Sequence, residues 1–212
     1  KIISQQDLIK KILKLKKTNV IRQEAEPILD SLINNLDEKK GGYKGAPKFP
    51  TFHIFDTLIY FYNKNKKIEY LKPVELILKK ICSRGMYDHV EGGISRYTVD
   101  DNWLVPHFEK MLYDNIQFIS LLAKFVKIKP DKYYSTKFKQ TTNFINKNFL
   151  SENTGLLGSA FDADSEGVEG KYYIYEYEEL KNIENINKFF DVRPEGNWNG
   201  KIILDELNEP NQ

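Results

Sequence analysis

The 212-residue sequence contains one cysteine and no long run of apolar residues. With only Cys82, no disulfide can form within the chain, which excludes a disulfide-stabilised scaffold and is compatible with a reducing compartment. No apolar segment approaches the roughly 18 residues that a membrane-spanning helix needs. The basic N-terminal segment lacks the apolar core of a signal peptide, and the absence of an initial methionine is compatible with a piece of a longer protein. We therefore predict a cytoplasmic protein without a membrane partner.

Phosphate-binding glycine patterns are also absent, because neither G-x-G-x-x-G nor a P-loop occurs. Residues 1–149 carry 27 basic and 16 acidic side chains, whereas residues 150–212 carry 5 and 14. The basic part fits either an anionic partner or lysine-rich solvated helix faces, and the scattered lysines favour the second. We predict no nucleic-acid partner. With 41% hydrophobic and 29% charged residues, the composition is that of a globular protein, predicted as a single domain over 1–212.

Apolar residues recur at helical spacing along most of the chain. Thr51 and Asp131 are predicted N-caps, and Pro106 is predicted at the first position of a helix. Short turns such as Asn63–Lys67 require successive helices to pack antiparallel, as αα-hairpins. The predicted helices cover 4–17, 21–38, a segment from Phe52 to Tyr62, a segment after Lys67 that ends near Ile81, 106–128, 132–149 and 178–190.

Two polar loops interrupt these helices, over residues 86–106 and 155–177. Alternation predicts a β-hairpin in the first loop, with Ile94–Val99 pairing with Asn102–Val105. The aromatic run Tyr172–Tyr177 predicts a strand, and Gly196–Leu204 predicts a turn with a short strand. Long loops in compact domains commonly carry binding and catalytic residues, so the first loop is the natural place to search for a site.

His107, Glu109 and Asp114 are the candidate catalytic residues. A helix beginning at Pro106 would place Glu109 in its first turn and would place His107 and Asp114, seven residues apart, on one face. Such titratable groups could hydrogen-bond sugar hydroxyls or transfer protons. Alternatively, Glu109 complements the helix dipole, Lys110 pairs with Asp114, and His107 is a structural histidine.

Asp88, His89, Arg96 and Trp103 are candidate binding residues in the same loop. A histidine beside a carboxylate fits a metal site or a proton relay, but the spacing matches no metal signature, and ordinary loop structure is the favoured explanation. Arg96 could hold an anionic group. Trp103 could stack on a sugar face or belong to the core.

Asp162, Asp164 and Glu166 resemble the start of a calcium-binding loop. The resemblance fails at the twelfth position, where Tyr173 replaces the bidentate glutamate. These carboxylates therefore remain candidates for the rim of a pocket. We predict neither a metal nor a cofactor.

Four successive segments resemble one family: GGYKGAPKFP, MYDHVEGGISRYTVDDNWLVPHFEKMLYDN, SAFDADSEGVEGKYYIYEYEEL and EGNWNGKIIL. Together they are similar, in order, to the spermatogenesis-associated protein 20 family of thioredoxin-domain proteins. The resemblance implies an all-α fold of antiparallel αα-hairpins, with small β-hairpins in the loops, forming part of an (α/α)6 toroid like that of the six-hairpin glycosidases. The chain has no C-x-x-C pair, so redox chemistry does not transfer. Its helices suffice for about the first half of a toroid.

The resemblance also implies a sugar or another small polar molecule as ligand, with loops 86–106 and 155–177 forming the pocket rim. The expected function is carbohydrate binding or modification of a hydrolase or epimerase type. The alternative is a non-catalytic module that positions a thioredoxin domain or a partner protein. A half-toroid would expose apolar helix faces, so we also predict self-association or pairing with a partner chain through the open edge.

Overall fold

The computed structural model describes residues 24–207, and most of its regular structure is helical. The chain divides into two compact units, residues 1–32 and 33–212, so its treatment as a single domain stays a prediction. Helix α1 (Ala25–Asn34) begins within the first unit. Pro27 lies in its first turn, where a missing backbone N–H removes no helical hydrogen bond. The helix predicted over 4–17 lies outside the described residues.

The second unit is built on two pairs of long helices. The connections within the pairs contain only two and three residues, which makes the helices of each pair antiparallel. Helix α2 also packs on α4. The helices are α2 (Phe52–Asn65), α3 (Ile68–Ser83), α4 (Leu112–Ile128), α5 (Lys132–Phe144) with a π-helical turn over Ile145–Phe149, α6 (Tyr177–Leu180) and α7 (Ile186–Phe189). Within residues 24–207, none of them combines the length and the apolar character needed to cross a bilayer.

The core lies between the long helices. Side chains at helical spacing, such as Leu58 on α2, Val74 and Leu78 on α3, and Phe118 and Leu122 on α4, are completely buried. Burying each such side chain contributes about 1.5–3 kcal/mol. Helix α5 begins at its predicted cap, because Asp131 Oδ1 accepts hydrogen bonds from the backbone N–H groups of Tyr133 and Tyr134. Thr51 occupies the predicted N-cap position of α2, but its side chain makes no capping hydrogen bond.

Helix α4 begins at Leu112, six residues later than predicted. Instead of forming a helix, residues 105–109 pair with the segment 96–99. The N–H of Val99 donates to the carbonyl of Val105 at 2.9 Å, and that of His107 to Tyr97 at 3.0 Å. The predicted hairpin thus exists in an irregular form, with its return segment at 105–109 instead of 102–105. Along α4, Phe118, Leu121 and Phe125 are buried in the core and Ile116 is exposed.

Two short antiparallel strand pairs complete the loops. Strand β1 (Lys110–Met111) pairs with β2 (Ala160–Phe161), and β3 (Asp164–Ser165) pairs with β4 (Val168–Glu169). The strand predicted over Tyr172–Tyr177 is wrong, because only Tyr175 makes a bridge, to Ile202. The predicted helix over 178–190 is replaced by the shorter α6 and α7. Tyr173 and Tyr175 are instead partly buried against the loops around them.

Candidate functional site

Two of the candidate catalytic residues, His107 and Glu109, lie on the segment that directly follows Pro106. Pro106, Phe108 and Lys110 are buried, whereas His107 and Glu109 between them are partly exposed. Phe108 adopts a left-handed φ of 66°, and beyond it the N–H of Arg96 donates to the carbonyl of Glu109 at 2.8 Å. This irregular pairing of two segments, and not a helix, places Tyr97 beside His107 and Arg96 beside Glu109. The predicted helical face shared by His107 and Asp114 therefore does not exist.

His107 is the last ring in a stack of three aromatic rings, after Phe49 and Tyr97. The ring centroids of Tyr97 and His107 lie 4.7 Å apart with planes at 18°, and those of Phe49 and Tyr97 lie 4.7 Å apart with planes at 27°. Phe49 is 43% exposed at the end of this stack. His107 Nδ1 lies 3.5 Å from Glu169 Oε1, which arrives from β4. The stack therefore offers an aromatic face beside an imidazole whose Nδ1 already has a partner.

Charged groups gather around Arg96 in the same region. Arg96 Nη1 lies 3.3 Å from Glu109 Oε2. The pKa of Arg96 is raised, first by the neighbouring Tyr113 side chain and then by Glu109. Glu109 and Tyr113 thus both face the Arg96 guanidinium. The predicted pair of Lys110 with Asp114 is absent.

Asp114 is the least satisfied member of this group. It lies in the first turn of α4, its residue is only 7% exposed, and its Oδ2 is buried without a hydrogen-bond partner. Burial raises the pKa of Asp114 to about 6, although the charge of Arg96 opposes the rise. An orphaned buried carboxyl oxygen is costly unless something donates a hydrogen to it. Near neutral pH this carboxyl can hold or release a proton.

We call Arg96, Tyr97, His107, Glu109, Tyr113 and Asp114, together with Phe49 and Glu169, the candidate site. It contains an imidazole, carboxyl groups in unlike surroundings and an exposed aromatic face. These are the elements that acid–base chemistry on a polar ligand requires.

Asp88 lies elsewhere, in the interior. Its Oδ2 accepts a hydrogen bond from Lys110 Nζ at 2.6 Å, and its Oδ1 accepts from the backbone N–H groups of Val90 and Glu91 at 2.9 and 3.0 Å. The Lys110 ammonium also lies 4.2 Å from the centroid of the Phe144 ring. Asp88 therefore fixes the turn at 88–93 and neutralises a buried cation instead of facing a ligand.

His89 is buried in a second internal network. Its Nε2 lies 3.1 Å from the carbonyl oxygen of Arg84, and its Nδ1 lies 3.2 Å from both Lys137 Nζ and Glu206 Oε1. Burial lowers the pKa of His89, with the Glu206 hydrogen bond opposing. His89 thus has no access to a surface ligand.

A cavity of about 20 Å³ lies between these two networks, lined in part by Asp88, His89, Lys110 and Tyr173. That volume holds about one water molecule. The cavity is therefore too small for a sugar.

Trp103 is completely buried, and its Nε1 donates to the carbonyl of Lys40 at 2.7 Å. Its proposed role of stacking on a sugar is corrected, because the ring belongs to the core. Asp162, Asp164 and Glu166 are exposed; Asp162 Oδ1 accepts from the N–H of Asp164 at 3.2 Å, and Glu166 pairs with Lys171. Over residues 24–207, no group of three or more side chains is arranged to hold a metal ion.

Phe49, Tyr97, Tyr113 and Glu169 were not identified from the sequence. Tyr97 and His107 are directly opposite each other on the two paired segments, so a correct prediction that 96–99 pairs with 105–109 would have placed their rings together. Nothing in the local sequence indicates that Glu169 reaches His107, because this contact depends on how β3–β4 is oriented.

Comparison with known proteins supports the resemblance carried by the four segments. No family model matches the sequence. The mouse protein named spermatogenesis-associated protein 20 is 32% identical over 162 residues, which cover 72% of this chain and 20% of the mouse protein, and the human protein of that name is 33% identical over the same length. The chain is a homologue of spermatogenesis-associated protein 20. It spans about a fifth of the length of these curated relatives.

Solved structures establish the fold of this homologue. A sugar epimerase from a ruminal bacterium aligns with a TM-score of 0.55 and 19% identity over 69% of this chain and 42% of the epimerase. The cellobiose 2-epimerase of Spirochaeta thermophila aligns with a TM-score of 0.54 and 18% identity over 68% of this chain and 41% of its own. The fold is that of part of an (α/α)6 toroid, and the predicted fold class is confirmed.

Proposed function

We propose that this spermatogenesis-associated protein 20 homologue is a carbohydrate-binding or carbohydrate-modifying domain of a hydrolase or epimerase type. The proteins that share its fold are named a sugar epimerase and a cellobiose 2-epimerase. Because one fold hosts many chemistries, the site must carry the argument. The supporting observation is a pair of carboxyl groups in unlike surroundings: Glu109 faces the Arg96 guanidinium, whereas Asp114 is buried with one oxygen unpartnered.

Acid–base chemistry needs one group that gives a proton and another that takes one. Enzymes obtain both from carboxyl groups by placing them in different environments. Burial keeps a fraction of Asp114 protonated near neutral pH, since its pKa lies at about 6. Glu109 accepts hydrogen bonds as a carboxylate. Glu169 faces Nδ1 of His107, and we assign Nε2 of the same ring to the ligand.

We propose a shorter set of binding residues than the sequence suggested. Arg96 lies within the candidate site and supplies hydrogen-bond donors for sugar hydroxyls. Asp162, Asp164 and Glu166 stay secondary candidates, because they lie on the exposed turn that precedes Glu169. Asp88, His89 and Trp103 are withdrawn, since each is buried in a structural contact.

A binding screen against monosaccharides and disaccharides tests the proposal. Glu109→Gln and Asp114→Asn should each weaken sugar binding or turnover at least tenfold, because each removes a carboxylate acceptor from the site. Glu178→Gln is the matched control, since it removes one exposed carboxylate on α6. Binding that is absent, or unchanged in both site variants, contradicts the proposal.

The type of reaction has its own readout. Epimerisation by proton removal exchanges the hydrogen at the reacting carbon with solvent, so a bound reducing sugar should incorporate deuterium in D2O. Hydrolysis instead releases a new reducing end from a disaccharide. Asp114→Asn should slow whichever reaction is found, because the variant cannot hold an exchangeable carboxyl proton.

A non-catalytic interaction module is the alternative, and one observation favours it. Several predicted carboxylates are engaged within the chain: Asp88 with Lys110, Glu109 with Arg96, and Glu166 with Lys171. Such a module would bind a thioredoxin domain or another protein whether or not Glu109 or Asp114 is intact. Co-purification that survives both substitutions, without any sugar binding, would favour the module.

A further inference from the structure

The small cavity between the two internal networks has a polar wall that is built from buried side chains. We propose that this cavity binds one ordered water molecule, which is held by Ser95, Asp88 and Lys110. The site is independent of the proposed function, because the cavity is too small for a sugar.

The size of the cavity restricts its ligand first. The cavity measures about 20 Å³, and a water molecule needs about 10–15 Å³ of space measured in this way, together with two to four polar partners. Phe108, Ile203 and Leu204 are buried and form the apolar part of the wall. They enclose the ligand without offering a hydrogen bond, so the polar partners must come from the other side chains of the wall.

Ser95 brings a hydroxyl group to this wall. The residue is 5% exposed, and its backbone N–H donates to the carbonyl of Met86 at 3.0 Å. Within residues 24–207 its hydroxyl makes no hydrogen bond. Buried hydroxyl groups in folded proteins nearly always have a partner, either in the protein or in an ordered water. A water molecule in the cavity supplies that partner.

Lys110 and Asp88 offer a donor and an acceptor to the same space. Their side chains are 1% and 9% exposed. Lys110 Nζ donates to Asp88 Oδ2 at 2.6 Å and to the carbonyl of Gly92 at 3.1 Å, so the third N–H of the ammonium has no oxygen acceptor in the described part of the chain. Asp88 Oδ2 accepts only this one bond there, and a carboxylate oxygen can accept two. With Ser95, the wall thus provides three partners for a water molecule.

The charge of the wall distinguishes water from a small ion. The carboxylate of Asp88 and the ammonium of Lys110 neutralise each other, and burial lowers the pKa of His89, so that its ring is neutral near pH 7. A cation in the cavity would lie beside Lys110, and an anion would lie beside Asp88. Burying either charge without a partner of its own is costly, whereas water is neutral and both donates and accepts hydrogen bonds.

The proposed water lies close along the chain to the segments that carry the candidate site. Ser95 directly precedes Arg96, and Lys110 directly follows Glu109. The backbone N–H of Arg96 donates to the carbonyl of Glu109, and the two side chains lie 3.3 Å apart. A water molecule shared by Ser95 and Lys110 therefore joins the same two segments, one residue away from that ion pair.

A high-resolution crystal structure of the chain tests the proposal directly. We expect one density peak in the cavity, at about 2.7–3.2 Å from Ser95 Oγ and from Lys110 Nζ or Asp88 Oδ2. Crystals soaked in rubidium bromide separate water from ions, because rubidium and bromide scatter anomalously. A cavity without density, a direct hydrogen bond of Ser95 to Asp88 or Lys110 that closes the cavity, or an anomalous peak at the site each overturns the proposal.

Oxygen-17 magnetic relaxation dispersion tests the proposal in solution, because it counts long-lived water molecules. Ser95→Val replaces the hydroxyl with methyl groups that fill the cavity, and its count should be lower than that of the wild type by one. Ser151→Val changes an exposed serine and should leave the count unchanged. Equal counts for Ser95→Val and the wild type contradict the proposal. Where circular dichroism shows that Ser95→Val does not fold, the crystal structure of the wild type decides alone.

Discussion

The pH dependence of stability offers a direct test of how Asp114 is buried. Burial raises the pKa of this carboxyl from an ordinary value of 3.8 to about 6. The difference of about two units corresponds to about 3 kcal/mol, and we expect about 2 kcal/mol because solvent near the partly exposed Arg96 screens the charge. Between about pH 4 and pH 6 the folded state binds the extra proton. Stability therefore falls as pH rises through this window and is constant above it.

Asp114→Asn removes this contribution. Urea unfolding of the wild type and the variant, at half-unit steps from pH 4 to pH 8, gives the difference between their free energies of unfolding. We expect this difference to shift by about 2 kcal/mol against the wild type between pH 4 and pH 6, and to be flat above pH 6.

The design isolates one group among several. Burial also raises the pKa of Asp205 to about 6, but Asp205 is present in both proteins and its contribution cancels. A difference that stays constant with pH, or that shifts in favour of the wild type as pH rises, would refute the assigned burial of Asp114. The role of this carboxyl in the proposed function would then lose its physical basis.

Three further predictions concern packing and assembly. Lys110→Met leaves Asp88 as an unpaired buried charge and should lower the free energy of unfolding by about 3–5 kcal/mol in urea titrations. The double variant that also carries Asp88→Asn should lose less stability than the two single variants together. Full additivity would show that the ion pair is not coupled. Gly170→Ala should lower the free energy of unfolding by more than about 2 kcal/mol, because the new Cβ would lie 2.6 Å from the Phe108 ring at a φ of +71°. The control Gly167→Ala has a similar φ of +75° but open space around it, and should lose only about 1 kcal/mol. Equal melting temperatures of the two variants would contradict the close contact. The predicted pairing through exposed apolar helix faces should appear in light scattering as self-association that rises with concentration, and a monomer at high concentration would count against it.

Periodicity was sufficient to predict the long helices. Phe55, Leu58, Val74 and Leu78 recur at intervals of three and four, and all are completely buried. The cap at Asp131 was also predictable, because a side-chain oxygen before a helix satisfies the first free N–H groups.

The beginning of α4 was not predictable in the same way. Pro106 is well suited to the first helical position, but Phe108 adopts a left-handed φ and the segment from Val105 to Glu109 pairs with 96–99. Pairing between distant segments overrides a local preference. His107 therefore lies on the segment that pairs with 96–99 and not on the predicted helical face. His107, Glu109 and Asp114 still belong to the candidate site.

The charge partners of the interior could not be read from local sequence either. Lys110 pairs with Asp88 across 22 residues, and His89 meets Glu206 from the far end of the described chain. The dipeptide Asp88–His89 in a polar loop suggests exposure, whereas the folded chain encloses its side chains. Only the arrangement of elements decides which polar residues are enclosed.

One amide determines how two halves of the candidate site are held together. Asn115 Oδ1 accepts from the N–H of Ile94 at 2.8 Å, and its Nδ2 donates to the carbonyl of Ile94 at 3.0 Å, so the side chain acts as a neighbouring peptide group would. The segment that carries Arg96 is thereby fastened to the helical turn that carries Asp114. Any shift of that turn must therefore carry the backbone that precedes Arg96 with it. A side chain outside the candidate site thus couples the two chain segments that supply its cation and its buried acid.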